Sequence, residues 1–402
     1  MRVVINAYTT IGNKTGVGRY TDELVRCLRE RMNPEELFAY PHLWLRNLRA
    51  KWKKRTDGNA PTAQEKPKRR WLPSPRRLAI GALRPIGHGL IWLYNRAVLR
   101  PGKFDLYHEP NHIPIRCDVP TVTTFHDLSV VHHPEWHPQQ RLRFFNSNLH
   151  RAIRQTQHFF TVSDFVKREI AETFNVPLSR ITTTPNGVRS DLRPMADDEF
   201  RPVLQQLGLP ERYLLHVGTI EPRKNLLKLM RAYVDLPVEL RERFPLVLVG
   251  QWGWHFEETA DFYHSTAKHK GVVQVGYVPD EALPAIYNGA RALVFPTYYE
   301  GFGIPAVEMM GCGGAVLAST AGAVAEVVGK HAELIEPNDV AGWREAMRRA
   351  LTDLDWWLSL RRGVVDHARQ YSWDRTAAQT LRVYRRLMQS ETIDTETPAQ
   401  AA

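Results

Sequence analysis

Cysteine is scarce: Cys27, Cys117 and Cys312 are the only three in 402 residues, and they lie far apart. An odd, scattered set makes neither a disulfide framework nor a metal-ligand cluster, so a reducing compartment is expected. Long apolar runs are missing too, and none approaches the roughly 20 residues needed to span a bilayer. No secretory pattern opens the chain, because Met1-Arg2 leads directly into Val3-Val4-Ile5. A protein that is soluble or peripheral on a membrane is therefore expected. What is present excludes wholesale disorder: 43% of residues are hydrophobic, gathered in Leu- and Val-rich segments. A chain of this length is expected to form two domains with ample cores.

Acidic residues are scarce in one region. Residues 42–103 hold sixteen Lys or Arg against Asp57 and Glu65, in a chain whose formal net charge is +11. The remainder is slightly negative, so the basicity is local. Its centre, residues 55–70, reads as disordered, and the stretch after Trp71 reads as two short amphipathic segments broken by Pro85, Gly87 and Gly89. Basic side chains set among Trp and Leu suit an anionic membrane surface, at about 1 kcal/mol per basic residue near it. An ordinary solvated insertion and a single-stranded nucleic-acid surface are the alternatives.

Elsewhere short apolar runs alternate with helical spacing. Strands are expected at residues 1–7, 37–40, 104–107, 121–125, 159–162 and 181–184. A polar glycine loop, Thr15-Gly16-Val17-Gly18, is expected before a helix that carries Tyr20, Leu24 and Leu28 on one face. Further helices are expected at residues 139–156 and 165–174. Residues 189–211, polar and punctuated by proline, read as an interdomain linker. The alternation restarts with strands at 213–217, 246–249, 272–275, 292–295, 315–318 and 332–335, and helices at 226–235, 280–290 and 340–352. Alternation in both halves argues for two doubly wound α/β domains, with ligands outside the carboxyl ends of the strands. Residues 391–402 are expected to be disordered.

The stretch from Arg291 to Thr320 is the centre of the sequence. A buried strand ends in Pro296-Thr297-Tyr298-Tyr299-Glu300, Gly301-Phe302-Gly303 turns the chain, and a helix starts at Ile304. Glu300 in the turn and Glu308 in the helix place two carboxylates beside a helix N-terminus. Separately, each would be an ordinary surface glutamate; together with the aromatics and the glycine turn they read as a binding crevice. Gly218-Thr219-Ile220-Glu221-Pro222-Arg223-Lys224-Asn225 follows another strand. Two adjacent cations at a helix start are unfavourable unless an anion sits there, which favours a phosphate or diphosphate site over solvated charge.

Weaker signals accompany these. Gly16 and Gly18 allow close backbone approach but lack the full dinucleotide fingerprint, and a plain tight turn fits them nearly as well. His126-Asp127 follows a strand and suits a sugar hydroxyl or a proton transfer. His132, His133 and His137 lie nearby, without the Cys or carboxylates that would complete a metal set. Asp353-Leu354-Asp355 reads as a helix cap rather than a cation site.

Glu300-Gly301-Phe302-Gly303-Ile304-Pro305-Ala306-Val307-Glu308 resembles the E-x7-E signature of retaining glycosyltransferases of family 4, and Gly218–Asn225 resembles that family's phosphate-binding segment. Gly16/Gly18, His126-Asp127, Ser163 and Asn186-Gly187-Val188 fall where the family has its N-terminal loop, cleft histidine and sheet-end motifs. The resemblance covers nearly the whole chain. It implies the GT-B fold, two Rossmann-like domains facing each other across a cleft. It implies an acceptor-side domain over residues 1–195, a nucleotide-sugar domain over 196–372 and a final helix, 373–390, that crosses back. Arg223 and Lys224 would neutralise the donor diphosphate, as catalytic residues with Glu300 on the sugar hydroxyls and His126 on the donor sugar. Gly16, Gly18, Gly218, Asn186, Phe302, Gly303 and Ile304 would line the donor, and Glu308 would accept from the ribose.

The function so implied is transfer of a hexose from a nucleotide-sugar donor, with retention and without a metal or other cofactor, to a glycan or lipid-linked acceptor. Residues 124–129 and 134–138 look like those of mannosyl- and rhamnosyltransferases of bacterial surface polysaccharides, which makes GDP-mannose the first donor to try and lipopolysaccharide or glycolipid synthesis the setting. Residues 42–103 would hold the enzyme on the inner face of the cell membrane, with no nucleic-acid partner expected. An epimerase or phosphorylase of the same fold, or a non-catalytic anionic-surface binder, are the rival readings.

Overall fold

The computed structural model describes residues 1–11, 16–41, 97–100 and 102–395. Most of the basic region, residues 42–96 and 101, lies outside them, as does the tail beyond Thr395. The chain divides into two compact units, one of Met1–Thr124, Arg151–His158 and the chain from Leu381, the other of Phe125–His150 and Phe159–Thr380.

Six strands, β1 (Val3–Asn6), β2 (Leu37–Tyr40), β3 (Leu106–Glu109), β4 (Thr121–Phe125), β5 (Thr156–Thr161) and β6 (Ile181–Thr183), form a sheet in the order β2-β1-β3-β4-β5-β6. The pairs β1–β2, β1–β3, β3–β4 and β5–β6 run parallel. Tyr20, Leu24 and Leu28 are fully buried along the helix Gly16–Arg29, as their i, i+4, i+8 spacing requires. Gly16 and Gly18 belong to that helix, so the expected glycine loop does not extend over them. The strand expected at 104–107 forms two residues later, where Tyr107 and Glu109 find buried partners.

In the second unit β7 (Tyr213–Val217), β8 (Leu246–Val249), β9 (Val272–Gly276), β10 (Ala290–Phe295), β11 (Ala315–Ser319) and β12 (Glu333–Ile335) form an all-parallel sheet in the order β12-β11-β10-β7-β8-β9. Its central strands, β7, β8, β10 and β11, are buried on both faces, which is why they read as continuous apolar runs, while β9 and β12 at the edges are partly exposed. The chain winds outward from β7 through β8 and β9, then returns to the other side of β7 at β10. That reversal leaves a switch point between the carboxyl ends of β7 and β10, the position where open α/β sheets bind ligands.

Residues 189–211 are not only a linker. They contain the helix Asp197–Gln206, whose Phe200 and Leu204 are buried one turn apart. Asp197, Asp198 and Glu199 occupy its first turn, and Glu199 accepts from Ala196 N at 3.1 Å, so acid-rich capping starts the helix despite Pro202. The segment expected as one helix at 280–290 begins as the 3-10 turn Asp280–Ala282 and continues as Leu283–Gly289. The last helix, Trp373–Thr395, runs five residues into the stretch expected to be disordered.

Candidate functional site

The switch point of the second sheet is built from two loops. Beyond β7, Pro222 opens a 3-10 turn, Pro222–Lys224, which Asn225 ends in the left-handed region at φ 58°. Asn225 Nδ2 donates to Pro296 O at 3.0 Å and to Pro337 O at 2.7 Å, fastening this turn to the loop beyond β10. Tyr298 N donates to Arg223 O at 2.8 Å and completes the link. The two cations and the glutamate loop, 76 positions apart in sequence, are thereby held together.

Glu300 is 8% exposed and Lys224 7%. Lys224 Nζ donates to Glu300 Oε1, and Arg223 Nη1 donates to Glu300 Oε2 at 3.0 Å. Arg223 Nε donates to Glu221 Oε1 at 2.6 Å, and its Nη1 also reaches Tyr299 O at 3.3 Å. Burial would push the Glu300 carboxyl up, but Arg223 and Lys224 outweigh it and hold the group below the usual carboxylate range. Burial likewise opposes the Arg223 charge, and Glu300, Glu221 and Asp127 overcome it and raise the guanidinium. In the protein alone the two cations share Glu300, and Arg223 also holds Glu221.

Gly301 lies against the end of β4: a Cβ there would stand 1.7 Å from His126 O and 3.1 Å from Asp127 Cβ. Only glycine allows that approach. Ser163 Oγ donates to Gly301 O at 2.7 Å, and Ala323 N donates to Glu300 O at 2.9 Å. Gly303 then turns at φ 96°, a left-handed conformation, and the helix Ile304–Gly311 starts. Phe302 packs edge-on to Tyr371, with ring centres 5.3 Å apart. Glu308, buried in the helix, accepts from Tyr287 Oη at 2.7 Å.

Of the residues singled out in sequence, Gly218, Arg223, Lys224, Glu300, Gly303 and the backbone of His126 thus meet in one place. Gly218 contributes proximity: a Cβ on it would lie 3.6 Å from Lys224 Cε and 3.5 Å from His216 Nε2. Asn186 is elsewhere, in the turn that meets the last helix, where a Cβ on Gly187 would strike Trp373 N at 2.2 Å and Val188 N donates to Tyr371 O at 2.9 Å. Gly16 and Gly18 belong to the first unit. Asp353 caps a helix, accepting from Trp356 N at 2.9 Å, as its sequence context indicates.

Several supporting contacts have no sequence signal. Tyr299 Oη donates to Glu169 Oε2 at 2.5 Å and accepts from Leu128 N at 2.9 Å, so one phenol ties a helix and the segment after β4 to the Glu300 loop. Burial, then Asp127 and Glu172, push the Glu169 carboxyl up to about 7. Glu326 accepts from Asp164 N and Phe165 N, both at 2.8 Å, and caps the helix that Ser163 starts. Asp127 accepts from Ser129 Oγ at 2.7 Å, and His137 Nε2 lies 3.0 Å from the same oxygen. His216 is fully buried; its Nδ1 meets Val294 O at 3.0 Å, and burial pushes its pKa down to about 4. The pairings made by Tyr299, Glu326 and His216 span sequence distances over which no periodicity operates. Among the described residues no group of three or more His, Cys, Asp or Glu could hold a metal ion, and no helix is long and apolar enough to cross a membrane.

Comparison with known proteins bears on the family and the fold. The family described as Glycosyltransferase Family 4 matches residues 14–192, and that described as Glycosyl transferases group 1 matches residues 200–370. The chain is 37% identical over 380 residues to the O-antigen chain mannosyltransferase B of Escherichia coli, covering 93% of this chain and 96% of that protein. It is 30% identical over 284 residues to the serotype-specific mannosyltransferase WbdA of the same organism, covering 68% of this chain but 34% of that longer protein. Among solved structures, the sucrose-phosphate synthase of Thermosynechococcus elongatus superposes with a TM-score of 0.68 at 19% identity, covering 97% of this chain and 100% of that one. WaaG, a glycosyltransferase of lipopolysaccharide biosynthesis, gives 0.64 at 16%, covering 94% and 98%. Both neighbours share the GT-B fold expected from the sequence. On the identity and mutual coverage of the first relative, the chain belongs to glycosyltransferase family 4.

Proposed function

We propose that this glycosyltransferase moves mannose from GDP-mannose, with retention at the anomeric carbon, to a glycan or lipid-linked acceptor of a bacterial surface polysaccharide. The observation that carries the reading is the sharing of Glu300 between Arg223 and Lys224 at the switch point. The mannosyl group and the polysaccharide setting follow the similarity to an O-antigen chain mannosyltransferase and a serotype-specific mannosyltransferase.

Breaking the anomeric C–O bond leaves negative charge on the departing diphosphate. In this reading Arg223 and Lys224 turn from Glu300 to that charge, together with amides at the start of the helix Ile304–Gly311. They supply the stabilisation that a metal supplies in Asp-x-Asp enzymes. Glu300, once released, takes the sugar hydroxyls; Glu308 takes the ribose, and His126 the donor sugar. The acceptor hydroxyl then attacks from the face the leaving group has left, and its proton passes to the departing diphosphate. Residues 42–103, most of them (42–96 and 101) outside the described structure, provide the contact with an anionic membrane.

The test is transfer of radiolabel from GDP-mannose, against UDP-, ADP- and dTDP-sugars, to a mannose-terminated oligosaccharide on a hydrophobic aglycone, with and without EDTA. Transfer from GDP-mannose that survives EDTA and yields an α-linked product is expected. An epimerised donor without acceptor, or a strict metal requirement, would overturn the reading. Pelleting with anionic vesicles at low salt tests the membrane contact, and no pelleting would remove it.

A further inference from the structure

At the amino ends of the second sheet, away from Glu300, lies a cavity of about 330 Å³. Arg212 precedes β7, Arg291 is the second residue of β10 and Gly314 precedes β11, and all three line it. The lining also holds Arg201 and Arg361, with Asp197 and Glu211 as its carboxylates. Arg201 faces both carboxylates, Asp197 at 2.5 Å and Glu211 at 3.8 Å. No carboxylate pairs with Arg212, Arg291 or Arg361 among the described residues.

Arg291 and Arg361 both pack over the Trp357 indole, their guanidinium carbons 3.6 and 4.4 Å from the ring centre. Each commits a single nitrogen to the protein. Arg291 Nε donates to Ala350 O at 2.8 Å and Arg361 Nε to Gly313 O at 2.7 Å, so their terminal nitrogens stay uncommitted. The exposed Arg212 makes no hydrogen bond to the protein. Burial, then repulsion from Arg361, Arg212 and Arg243, pushes the Arg291 guanidinium down to about 10. Like charges have been gathered in a concavity without the counter-charge that would relieve them.

We infer that this cavity is a second anion site, which takes a phosphoryl group on the terminal nitrogens of Arg291 and Arg361, with Arg212 at its mouth. Guanidinium forks match phosphoryl oxygens two at a time, which a lysine cluster would not do. The site stands apart from the donor loops and does not depend on which sugar the enzyme transfers. Its phosphoryl group comes from a soluble phosphate or sugar phosphate, or from the headgroup of an anionic lipid.

Fluorine NMR of the 5-fluorotryptophan-labelled protein reads the site directly, the Trp357 resonance being assigned by its loss in Trp357→Phe. Inorganic phosphate or mannose 1-phosphate is expected to move that resonance saturably, and sodium chloride at equal ionic strength is not. Movement by phosphatidylglycerol vesicles alone would instead assign the lipid headgroup. Arg291→Gln should weaken the response at least tenfold. Because that change also removes packing on Trp357, Arg212→Glu, which breaks no side-chain hydrogen bond or ion pair, should weaken it several-fold as well. No movement with any of the probes, or an Arg212→Glu response equal to that of the unchanged protein, overturns the inference.

Discussion

Lys224 donates to the carboxylate of Glu300, and Arg223 reaches its second oxygen at 3.0 Å. An acid and two bases from loops far apart in sequence neutralise one another at the switch point of the second sheet. The proposed mechanism asks the same cations to meet a diphosphate, so Glu300 and the ligand compete for them.

Glu300→Gln separates the two roles. Turnover should fall by about 10²–10³ if the carboxylate contacts the sugar in the transition state. Affinity for the nucleoside diphosphate should rise, by roughly tenfold, because the internal competitor has lost its charge. Calorimetry with GDP beside steady-state kinetics decides this; weaker GDP binding would refute the competition.

Glu308 should act differently. Glu308→Gln preserves an acceptor for Tyr287 Oη, which now lies at 2.7 Å. Nucleotide binding is expected to weaken about tenfold, the worth of one charge-assisted hydrogen bond, with kcat changed much less. A loss confined to kcat would contradict the ribose role.

Gly301→Ala places a methyl group 1.7 Å from His126 O. The backbone of one or other loop must move, which should cost about 1–3 kcal/mol of stability. Activity should fall further than stability explains, because Glu300 is the preceding residue. Thermal unfolding and kcat/KM, measured together, check both parts.

Glu109 predicts a pH effect. It is buried in the first sheet, accepting from Tyr107 Oη at 2.6 Å and Asn6 Nδ2 at 2.7 Å, and burial pushes it up to about 7 from the ordinary 4.5. The folded protein therefore binds a proton that the unfolded chain releases, so stability is lost as pH rises from about 4.5 to 7. Glu109→Gln should remove that slope, worth roughly 3 kcal/mol across the window. His216, pushed down to about 4, has the opposite slope as pH rises from about 4 to 6.5, so the comparison of variant with unchanged protein is the informative one. A slope unaltered by Glu109→Gln would exclude Glu109 as its source.

Much of the architecture was legible because parallel strands buried on both faces leave uninterrupted apolar runs. Residues 213–217, 246–249 and 121–125 were placed correctly for that reason. The helix Asp197–Gln206 was hidden by its acidic first turn and Pro202, features that read as linker until Phe200 and Leu204 are seen buried. Arg223, Lys224 and Glu300 stood out by residue type and by position after strands. Glu169 and Glu326 did not, since an ordinary helix face gives no hint of a partner on a remote segment; Ser163 was marked by the family resemblance, but its partner, Gly301 O, was not.

The sequence by itself determined the two rounds of strand and helix, the glycine turn after Glu300 and the chemical types available to a donor site. Those follow from local burial and local conformation, which residue pattern encodes. Tertiary structure decided the strand order that brings β7 beside β10, the sharing of Glu300 by Arg223 and Lys224, and the approach of His126 to Gly301. It also gathered Arg212, Arg291 and Arg361 around Trp357. Each of these joins segments separated by tens of residues or more, and such contacts are set by how whole elements pack.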